Sequence, residues 1–579
     1  MNGPGSRSSG PVTEGDLSAA LARTLVDEWA RAGVTTAAVS PGSRSTPLAL
    51  ALAADGRITV QVFLDERSAS FFALGAAKAG GRPAVVLCTS GTAAAEFHPA
   101  VLEAYHGRVP LIVCTADRPP ELRDTGAGQA VDQLKLYGDS LRWFAEVGAP
   151  SPADAERPYW RSIAARAAAA AAGPPAGPVH LNLAFREPLV PSGAEVDLPP
   201  GRDDGAPWVT SVGRLPPPDP ADVDRLAFLA AAETRGVIVV GWGAGVDPAA
   251  VERFAAAAKW PVLADPLSGA RQGPNAISTY DALLRSPGAL KSLRPDVAIR
   301  LGAPLTGRAG SSWLDPSVRQ ILVDPDGAWL DPHRSSAERI VADPTALLDA
   351  VTGRGPARSH SFWLSSWLSA ERAARRELDR LLDSWTEPFE GRVARDLVAG
   401  LPEGATLVVG SSMPVRDVES FARPRAGLRF LSNRGVNGID GFVSTVLGAA
   451  GACAGPAVAL CGDLTFLHDA GGLLGAARRT IDATFVVIDN RGGGIFNFLP
   501  QAGIDHFEEL FATPQGVDLA QLAAVHGISS APVTKADDLM PAVQRAIDAG
   551  GVRLIVVPTD RAENVKRHRE AFAAVSIPG

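Results

Sequence analysis

The sequence predicts an α/β protein made of three doubly wound domains, each a parallel sheet with helices on both faces. Three observations predict this class. Short β-branched runs alternate with Ala- and Leu-rich segments of helical length along the chain. The runs are apolar on both faces, as strands of a fully covered parallel sheet are. The length of 579 residues suits about three domains of ordinary size.

Thirteen runs are predicted as strands. In the first domain they are Val34–Ser40, Ile58–Leu64, Ala84–Thr89, Leu111–Ala116 and Val179–Leu183. In the second they are Val237–Gly241, Pro261–Ala264, Val297–Leu301 and Gln320–Val323. In the third they are Thr406–Gly410, Ala457–Cys461, Thr484–Asp489 and Arg553–Val557. Helix-length segments between them indicate crossover connections, and therefore parallel pairing.

The predicted domains are residues 12–190, 221–352 and 353–579. Residues 191–220 contain eight prolines in 30 positions, which neither a helix nor a central strand tolerates, so this segment is a predicted linker. The second boundary is placed at the polar residues 353–361. It precedes Phe362–Trp385, where Trp and Leu residues recur at helical spacing and predict a packing helix.

Composition excludes several classes of protein. Hydrophobic residues make up 46% of the chain and charged residues 20%, which excludes a disordered protein. The net charge of −8 argues against a general nucleic-acid binder. Residues 441–462 carry no charge and are long enough to cross a bilayer. Their five glycines and the flanking Asp440 and Asp463 favour a buried helix and a buried strand instead, so we expect no membrane span.

The cysteines and the common catalytic motifs are uninformative about chemistry. Cys88, Cys114, Cys453 and Cys461 form no C-x-x-C pair and lie in apolar runs, which predicts small core residues in a reducing, cytoplasmic setting. The chain contains no G-x-S-x-G, no H-E-x-x-H and no P-loop lysine. Gly241–Gly245 follows a strand, and both a tight strand–helix turn and a nucleotide-binding fragment are compatible with it.

Polar residues end two predicted strands of the third domain. Asp463 ends one strand and Asn490, 27 positions later, ends the next. That interval fits one crossover, so both should lie at the carboxyl edge of the sheet, where doubly wound folds bind ligands. One carboxylate, one amide oxygen and a backbone carbonyl suit Mg²⁺ completed by phosphate oxygens. Gly492–Gly494 would let a diphosphate approach the backbone closely; a plain turn is the alternative.

Gly462-Asp463, followed by Asn490 after this interval, resembles the cofactor-binding signature of thiamine-diphosphate-dependent enzymes. Leu464 replaces the last glycine of that signature, and Arg491 stands where many members have a second asparagine. Six further segments resemble one branch of the family, which joins 2-oxoglutarate to isochorismate in menaquinone biosynthesis. They are Ser40–Pro47, Thr89–Thr92, Ala116–Leu122, Gly410–Asp417, Ser432–Gly441 and Gly493–Phe496. The resemblance runs from about residue 17 to the end of the chain and is sharpest in the first and third domains.

The resemblance implies a cofactor site. Glu66, in the segment after the second strand, would act on the aminopyrimidine ring as the catalytic acid. Mg²⁺, with Mn²⁺ as an alternative, would be held by Asp463, Asn490 and the Gly492 carbonyl. The other residues implied to contact the cofactor are Ser411, Ile439, Gly462, Leu464, Thr465 and Ile495.

The resemblance also implies a substrate site. Both substrates are dicarboxylates, so an acidic protein needs local cations, and arginine grips carboxylates through two nitrogens. The implied clamp, placed in loops, is Arg44, Arg118, Arg416 and Arg434, although any one of them alone is equally a surface or ion-pairing residue. Ser43, Gln129 and Ser412 would add neutral hydrogen bonds. Phe496 and Leu499, with Ile495, would wall off the reacting carbon.

The implied functional unit is a homodimer or a dimer of dimers, because in this family Glu66 of one subunit and Asp463 of another serve one cofactor. Alternatives remain open at this stage. One is another thiamine-diphosphate enzyme, acetolactate-synthase-like or decarboxylase-like, acting on smaller 2-oxo acids; four pocket arginines argue against a monocarboxylate. The others are a nicotinamide-binding oxidoreductase using Gly241–Gly245 and a catalytically silent α/β binding module.

Overall fold

The computed structural model describes residues 11–155, 158–211, 213–355 and 361–575. The strands in these residues form three sheets, and every strand pair in them is parallel. The predicted α/β class with three parallel sheets is therefore confirmed. The chain divides into two compact units. The first comprises the described part of residues 1–213 with Gly435–Cys453 and Asp469–Ala476, and the second comprises the rest.

The first unit contains one six-stranded sheet. Its strands are β1 (Thr36–Val39), β2 (Thr59–Val62), β3 (Ala84–Cys88), β4 (Leu111–Asp117), β5 (Trp143–Val147) and β6 (Pro178–Ala184). Their order is β2-β1-β3-β4-β6-β5. Strands β3, β4 and β6 are buried along their whole length, as the apolar runs predict. The five strands predicted here are confirmed, and the edge strand β5 is missing from the prediction.

Helices cover this sheet. They are α1 (Glu14–Arg31), α2 (Thr46–Asp55), α3 (Glu66–Gly80), α4 (Thr92–Glu96), α5 (His98–Gly107), α6 (Pro152–Ala155) and α7 (Tyr159–Ala172). Helix α1 begins where it does because Thr13 and Asp16 form a capping box. The fully buried Trp29 of α1 and Trp160 of α7 belong to one apolar core.

The second unit contains two sheets. The five-stranded one has β7 (Gly236–Val240), β8 (Val262–Ala264), β9 (Val297–Leu301), β10 (Arg319–Val323) and β11 (Glu338–Ile340), in the order β11-β10-β9-β7-β8. The six-stranded one has β12 (Thr406–Val409), β13 (Arg429–Leu431), β14 (Ala457–Gly462), β15 (Ala483–Asp489), β16 (Ser529–Pro532) and β17 (Val552–Pro558), in the order β13-β12-β14-β15-β17-β16. The eight strands predicted for these sheets are confirmed, and the edge strands β11, β13 and β16 are absent from the prediction.

The next helices along the chain are α8 (Pro220–Ala232), α9 (Pro248–Ala258), α10 (Tyr280–Leu283), α11 (Pro287–Ser292), α12 (Arg308–Trp313), α13 (Pro344–Gly353), α14 (Phe362–Ser384), α15 (Glu390–Gly400) and α16 (Met413–Phe421). They are followed by α17 (Phe442–Ala450), α18 (Asp463–His468), α19 (Leu519–Val525), α20 (Leu539–Ala549) and α21 (Arg561–Ala574). Helix α14 confirms the predicted packing helix, because Trp363 and Trp367 are buried and their rings meet edge to face at 5.9 Å. Gly241–Gly245 forms the turn between β7 and α9.

Helix α17 belongs to the first unit, where it packs on α3. The two backbones approach so closely that only glycine fits at the contact. A Cβ on Gly75 would lie 2.0 Å from the Thr445 carbonyl oxygen, and one on Gly448 would lie 1.9 Å from that of Phe72. The uncharged residues 441–462 are thus a buried helix followed by strand β14, as predicted. None of the helices in the described residues has the length and apolar character needed to cross a membrane.

The remaining predictions concern the cysteines and the domain boundaries. All four cysteines are free thiols; Cys88, Cys114 and Cys461 are buried and Cys453 is half-buried. Between β6 and α8 the described residues contain neither helix nor strand. The domain boundaries stay predictions, and residues 356–360 of the second one lie outside the described residues.

Candidate active site

Glu66 lies at the carboxyl edge of the first sheet, as the first residue of α3 after β2. Asp65 fixes the start of this helix by accepting a hydrogen bond of 3.1 Å from the Ser68 N–H. Burial raises the pKa of the half-buried Glu66 carboxyl, and the charges of Asp65 and Glu96 add to the rise. A carboxyl that keeps its proton to a higher pH than usual is suited to general acid chemistry near neutrality.

Two arginines lie at the same edge, after β1 and β4. Arg44 is 4% exposed, and it donates to a backbone carbonyl at 2.8 Å and pairs with Glu187 at 3.1 Å. Arg118 donates to Ser90 Oγ at 2.9 Å and to the Gly128 carbonyl at 2.8 Å. Burial, joined by the charge of Arg118, lowers the pKa of Arg44. Two guanidinium groups that repel each other favour an anion beside them.

The other predicted substrate residues of the first domain lie in the same loops. Ser43 is exposed and directly precedes Arg44. Gln129 is exposed, has a left-handed backbone with φ of 54°, and follows the glycine whose carbonyl binds Arg118. The structure therefore places Ser43, Arg44, Arg118 and Gln129, with Glu66, at one edge of one sheet.

Asp463 lies at the corresponding edge of the third sheet, as the first residue of α18 directly after β14, and is 5% exposed. Its Oδ2 accepts a hydrogen bond of 2.7 Å from the Gly492 N–H, and its Oδ1 accepts one of 2.8 Å from Leu464 N–H. Burial raises the pKa of Asp463 to about 6, since the two hydrogen bonds only partly replace water. A bound cation would favour the charged form of this carboxyl.

Asn490 follows β15, the neighbour of β14, so the predicted juxtaposition with Asp463 at adjacent strand ends is confirmed. Asn490 is 8% exposed, and its Nδ2 donates to Glu390 Oε1 at 2.9 Å. Its Oδ1 is buried and has no hydrogen-bond partner in the part of the chain that the structure describes. Buried polar atoms are normally satisfied, so an orphaned amide oxygen beside a buried carboxylate fits a divalent cation.

The side chains alone do not complete a metal site. Among the described residues, no group of three or more His, Cys, Asp or Glu side chains could hold an ion. The remaining ligands must be backbone and phosphate oxygens, as expected for a metal bound together with a diphosphate. Gly492 has φ of 135°, and a Cβ there would lie 2.2 Å from the Ala512 carbonyl oxygen. The chain's own packing therefore requires this glycine, and a close approach by the diphosphate stays a prediction.

The start of α16 carries three of the predicted residues. Ser411 is buried and donates to the Asn433 carbonyl at 2.6 Å, while Ser412 caps the helix. The expectation that Arg416 lies in a loop is wrong, because the Ser412 cap and Pro414 begin a helix there. Arg416 lies on the first turn of that helix and donates to the carbonyls of Ser411 and Ser412 at 3.1 and 2.6 Å.

The remaining predicted residues fall into two places. Ile439 is half-buried in the segment of the first unit that leads into α17. The others belong to the second unit. Arg434 donates to Thr306 Oγ1 at 3.2 Å, Gly462 is the last residue of β14, and Leu464 and the buried Thr465 lie on the first turn of α18. Ile495 and Phe496 are half-buried in a 3₁₀ turn, and Leu499 after it is exposed.

Two buried glutamates next to these residues are missing from the sequence prediction. Glu390 accepts the Asn490 hydrogen bond; burial and the charge of Asp417 raise its pKa to about 7. Glu103 on α5 pairs with Lys78 at 2.8 Å and accepts hydrogen bonds of 3.0 and 2.8 Å from the N–H groups of residues 435 and 436. It thereby anchors the segment that carries Ile439. No local sequence pattern identifies either glutamate.

Family models match the chain in three consecutive regions. Residues 17–136 match the N-terminal TPP-binding domain of thiamine pyrophosphate enzymes, where thiamine pyrophosphate is thiamine diphosphate. Residues 204–409 match the middle domain of thiamine pyrophosphate enzymes, and residues 414–557 match their C-terminal TPP-binding domain.

Relatives match along almost the whole chain. It is 47% identical over 577 residues to the 2-succinyl-5-enolpyruvyl-6-hydroxy-3-cyclohexene-1-carboxylate synthase of Thermobifida fusca (strain YX), covering 96% of this chain and 99% of the relative. It is 45% identical over 576 residues to the synthase of the same name from Geobacillus kaustophilus (strain HTA426), covering 96% and 97%. The solved benzoylformate decarboxylase of Polynucleobacter necessarius has a TM-score of 0.71 at 19% identity, covering 93% and 98%, and supports the fold alone.

Proposed function

The chain belongs to the thiamine pyrophosphate enzymes and, within them, to the 2-succinyl-5-enolpyruvyl-6-hydroxy-3-cyclohexene-1-carboxylate (SEPHCHC) synthases, and we propose that it catalyses the reaction of that name. The C1–C2 bond of 2-oxoglutarate breaks and CO₂ leaves. The carbon that was C2 of 2-oxoglutarate then bonds to one carbon of a ring double bond of isochorismate; this double bond opens and its other carbon takes up a proton, giving SEPHCHC for menaquinone biosynthesis.

Thiamine diphosphate, when bound, supplies the electron sink that allows a 2-oxo acid to lose CO₂. Asp463, Asn490 and the Gly492 carbonyl would hold Mg²⁺ and, through it, the diphosphate. The observation that carries this assignment is the orphaned Oδ1 of Asn490 beside the buried Asp463. A divalent cation satisfies both groups, whereas an empty site leaves both desolvated. Ser411, Gly462, Leu464, Thr465, Ile439 and Ile495 would complete the contacts to the cofactor.

Glu66 would hold and deliver the proton at the ring nitrogen of the aminopyrimidine. Its raised pKa supports this role, because a general acid works best when its pKa lies near the working pH. Arg44 and Arg118, aided by Ser43 and Gln129, would bind substrate carboxylates, and Arg416, Arg434 and Ser412 would do so from the third domain. Ile495, Phe496 and Leu499 would exclude water from the reacting carbon.

The first test is a coupled assay on the purified chain, following the loss of isochorismate absorbance. We expect loss only when 2-oxoglutarate, thiamine diphosphate and Mg²⁺ are all present. Release of CO₂ from 2-oxo acids with isochorismate untouched would keep the cofactor assignment and overturn the acceptor. The absence of both reactions would overturn the proposed function.

The functional unit would be a homodimer in which Glu66 of one subunit and Asp463 of the other serve one cofactor. Two inactive variants test this arrangement, Glu66→Gln and Asp463→Asn. When the two are co-expressed, a mixed dimer contains one site free of both substitutions, so roughly a quarter of wild-type activity should return after random assembly. Sites formed within single subunits would leave the mixture inactive.

A further inference from the structure

The amide of Asn490 is held in one orientation by the protein. Its Nδ2 donates to Glu390 Oε1 at 2.9 Å, and its Oδ1 is buried without a partner in the described part of the chain. Packing also confines it, because a Cβ on Gly494 would lie 2.6 Å from Nδ2. The two ends of the amide therefore meet different surroundings, with an acceptor on one side and an unfilled position on the other.

Glu390 reaches Asn490 from the start of α15, 100 positions earlier in the sequence. It is 3% exposed, and its Oε1 also accepts a hydrogen bond of 3.2 Å from Thr559 Oγ1. Asn490 follows β15 and Thr559 follows β17, and these strands are neighbours in the sheet. One carboxyl oxygen thus joins the ends of two adjacent strands at the edge where Asp463 lies.

An asparagine can bind a cation only through its oxygen, yet its two amide ends have nearly the same shape. An acceptor fixed on one side selects the orientation, because it requires the NH₂ group to face it. Oε1 of Glu390 accepts from two donors whether or not Oε2 carries a proton, so this selection does not depend on the charge of Glu390. Folding therefore fixes the orientation of the amide before the metal binds, so metal binding does not have to supply the free energy for that choice.

We propose that Glu390 is a positioning residue, which presents Oδ1 of Asn490 to the divalent cation. This inference rests on the proposed function, because it assumes that Asp463 and Asn490 bind the metal. Partners that orient metal ligands typically change metal affinity by about 10–100-fold when they are removed. Glu390 itself touches neither metal nor substrate in this proposal.

The test measures Mn²⁺ affinity of the full-length protein by electron paramagnetic resonance, with and without thiamine diphosphate. Glu390→Met removes the acceptor, and Glu390→Asp withdraws it by one methylene. We expect both to weaken Mn²⁺ binding by about 10–100-fold. Glu390→Gln keeps an acceptor oxygen in the same volume and should stay within about fivefold of wild type, the difference between a charged and a neutral hydrogen bond.

A matched control separates positioning from general stability. Glu419 is also fully buried in the second unit, and its Oε1 accepts a hydrogen bond of 2.6 Å from Tyr280 rather than from a metal ligand. Glu419→Met should lower the thermal unfolding temperature, measured without metal, and leave Mn²⁺ affinity unchanged. If Glu390→Met does not fold, Glu390→Asp carries the same prediction with the charge retained.

The outcomes distinguish this inference from the proposed function. Suppose that the wild-type protein binds Mn²⁺ and that Asp463→Asn abolishes this binding. If Glu390→Asp and Glu390→Met then bind Mn²⁺ as tightly as the wild type does, the positioning role alone is overturned. An equal loss of affinity in Glu419→Met would also overturn it. A wild-type protein whose Mn²⁺ binding is absent or indifferent to Asp463→Asn would overturn the metal site itself, and this inference with it.

Discussion

The first and third sheets have the same strand order but different chemistry at their carboxyl edges. In both sheets the first two strands in sequence lie at one end of the sheet, the next two lie in the middle, and the last two lie at the other end. The first edge carries a half-buried acid, Glu66, and two adjacent cations, Arg44 and Arg118. The third carries a buried carboxylate, Asp463, and an amide with an orphaned oxygen, Asn490. The shared topology determines where ligands can bind, and the residue ending each strand determines which ligand it is.

The middle sheet strengthens this conclusion by contrast. Its strand ends also carry polar side chains, Asp265 after β8 and Thr306 after β9. Asp265 Oδ2 accepts from both the N–H and the hydroxyl of Thr306, at 3.2 and 2.6 Å. These groups satisfy each other, whereas Oδ1 of Asn490 in the third sheet has no hydrogen-bond partner among the described residues.

The largest expected effect separates the roles of the two edges. Glu66→Gln removes the carboxyl group that donates a proton at the edge of the first sheet. It should lower kcat by about 10²–10⁴-fold, the usual contribution of a general acid. Thiamine diphosphate affinity, measured by calorimetry, should change little because the third edge holds the diphosphate. Asp463→Asn should instead lose affinity for the metal and for thiamine diphosphate, and it should be inactive because the cofactor is no longer held.

Glu96→Gln is the matched control for Glu66→Gln. Glu96 is exposed, and its charge contributes to the raised pKa of Glu66. This variant should retain nearly full turnover. Unimpaired kcat in Glu66→Gln, or an equal loss in both variants, would contradict the assignment of the acid to the first edge.

The next effect concerns the anchor that Glu103 provides in the first unit. Glu103→Met removes the buried carboxylate that pairs with Lys78 at 2.8 Å, and breaking such a largely buried ion pair typically costs about 3 kcal/mol or more of unfolding free energy. The amides of Gly435 and Val436 should then exchange hydrogen faster, because they lose their acceptor. Urea unfolding and hydrogen-exchange mass spectrometry measure the two effects.

Glu121→Met provides the comparison for Glu103→Met. Glu121 belongs to the same unit, but its pair with Arg186 is exposed. Its loss should therefore lower the unfolding free energy far less than the loss of Glu103 does, because exposed ion pairs contribute little to stability. Unchanged exchange at residues 435 and 436 in Glu103→Met would show that Glu103 does not anchor the segment leading to Ile439.

The sequence predicted the central strands and missed only edge strands, for a physical reason. Strands β3, β4 and β6 are buried on both faces and therefore read as continuous apolar runs. The missed strands β5, β11, β13 and β16 all lie at sheet edges; β11 and β13 have three residues each, β16 is exposed, and β5 is only half-buried along most of its length. An edge strand faces solvent along one side and needs no apolar pattern.

The same reasoning explains which site residues were predictable. Asp463 and Asn490 end buried strands, so their juxtaposition follows once the strands and the crossover are known. Glu390 lies 100 positions from Asn490, and Glu103 lies 332 positions from Gly435. Both are on helices whose approach to the edge depends on tertiary packing, for which the local sequence carries no signal.

The third effect tests acid sensitivity in the first unit. His180 on β6 is packed between Tyr137 and Phe144, and burial lowers its pKa to about 3 from an ordinary 6.5. The folded state keeps this imidazole neutral while the unfolded chain binds a proton below pH 6.5. Its contribution to stability is therefore present above pH 6.5 and is lost as the pH falls towards 3.

At pH 5 this loss amounts to about 2 kcal/mol. His180→Gln cannot titrate, so its unfolding free energy in urea should fall by about 2 kcal/mol less than that of wild type between pH 7 and pH 5. His506→Gln is the control, because the side chain of His506 is exposed. This variant should keep the pH dependence of the wild-type unfolding free energy. Equal pH dependence in wild type and His180→Gln would show that the buried imidazole is not the source.

The smallest effect tests the cationic character of the first edge. Arg44→Lys keeps the charge but loses the two-pronged donor that reaches both a backbone carbonyl and Glu187. One weakened charged hydrogen bond should raise KM for 2-oxoglutarate by about tenfold, with kcat nearly unchanged, as for a contact that binds substrate and transition state equally. Steady-state kinetics with 2-oxoglutarate, repeated with a monocarboxylate 2-oxo acid, measures the change. The monocarboxylate should respond less, because it lacks the second carboxylate.

Arg186→Lys, at an exposed pair in the same unit, should leave both substrates unaffected. A fall in kcat at constant KM would instead place Arg44 at the reacting atoms and remove the division between a binding edge and a metal-holding edge.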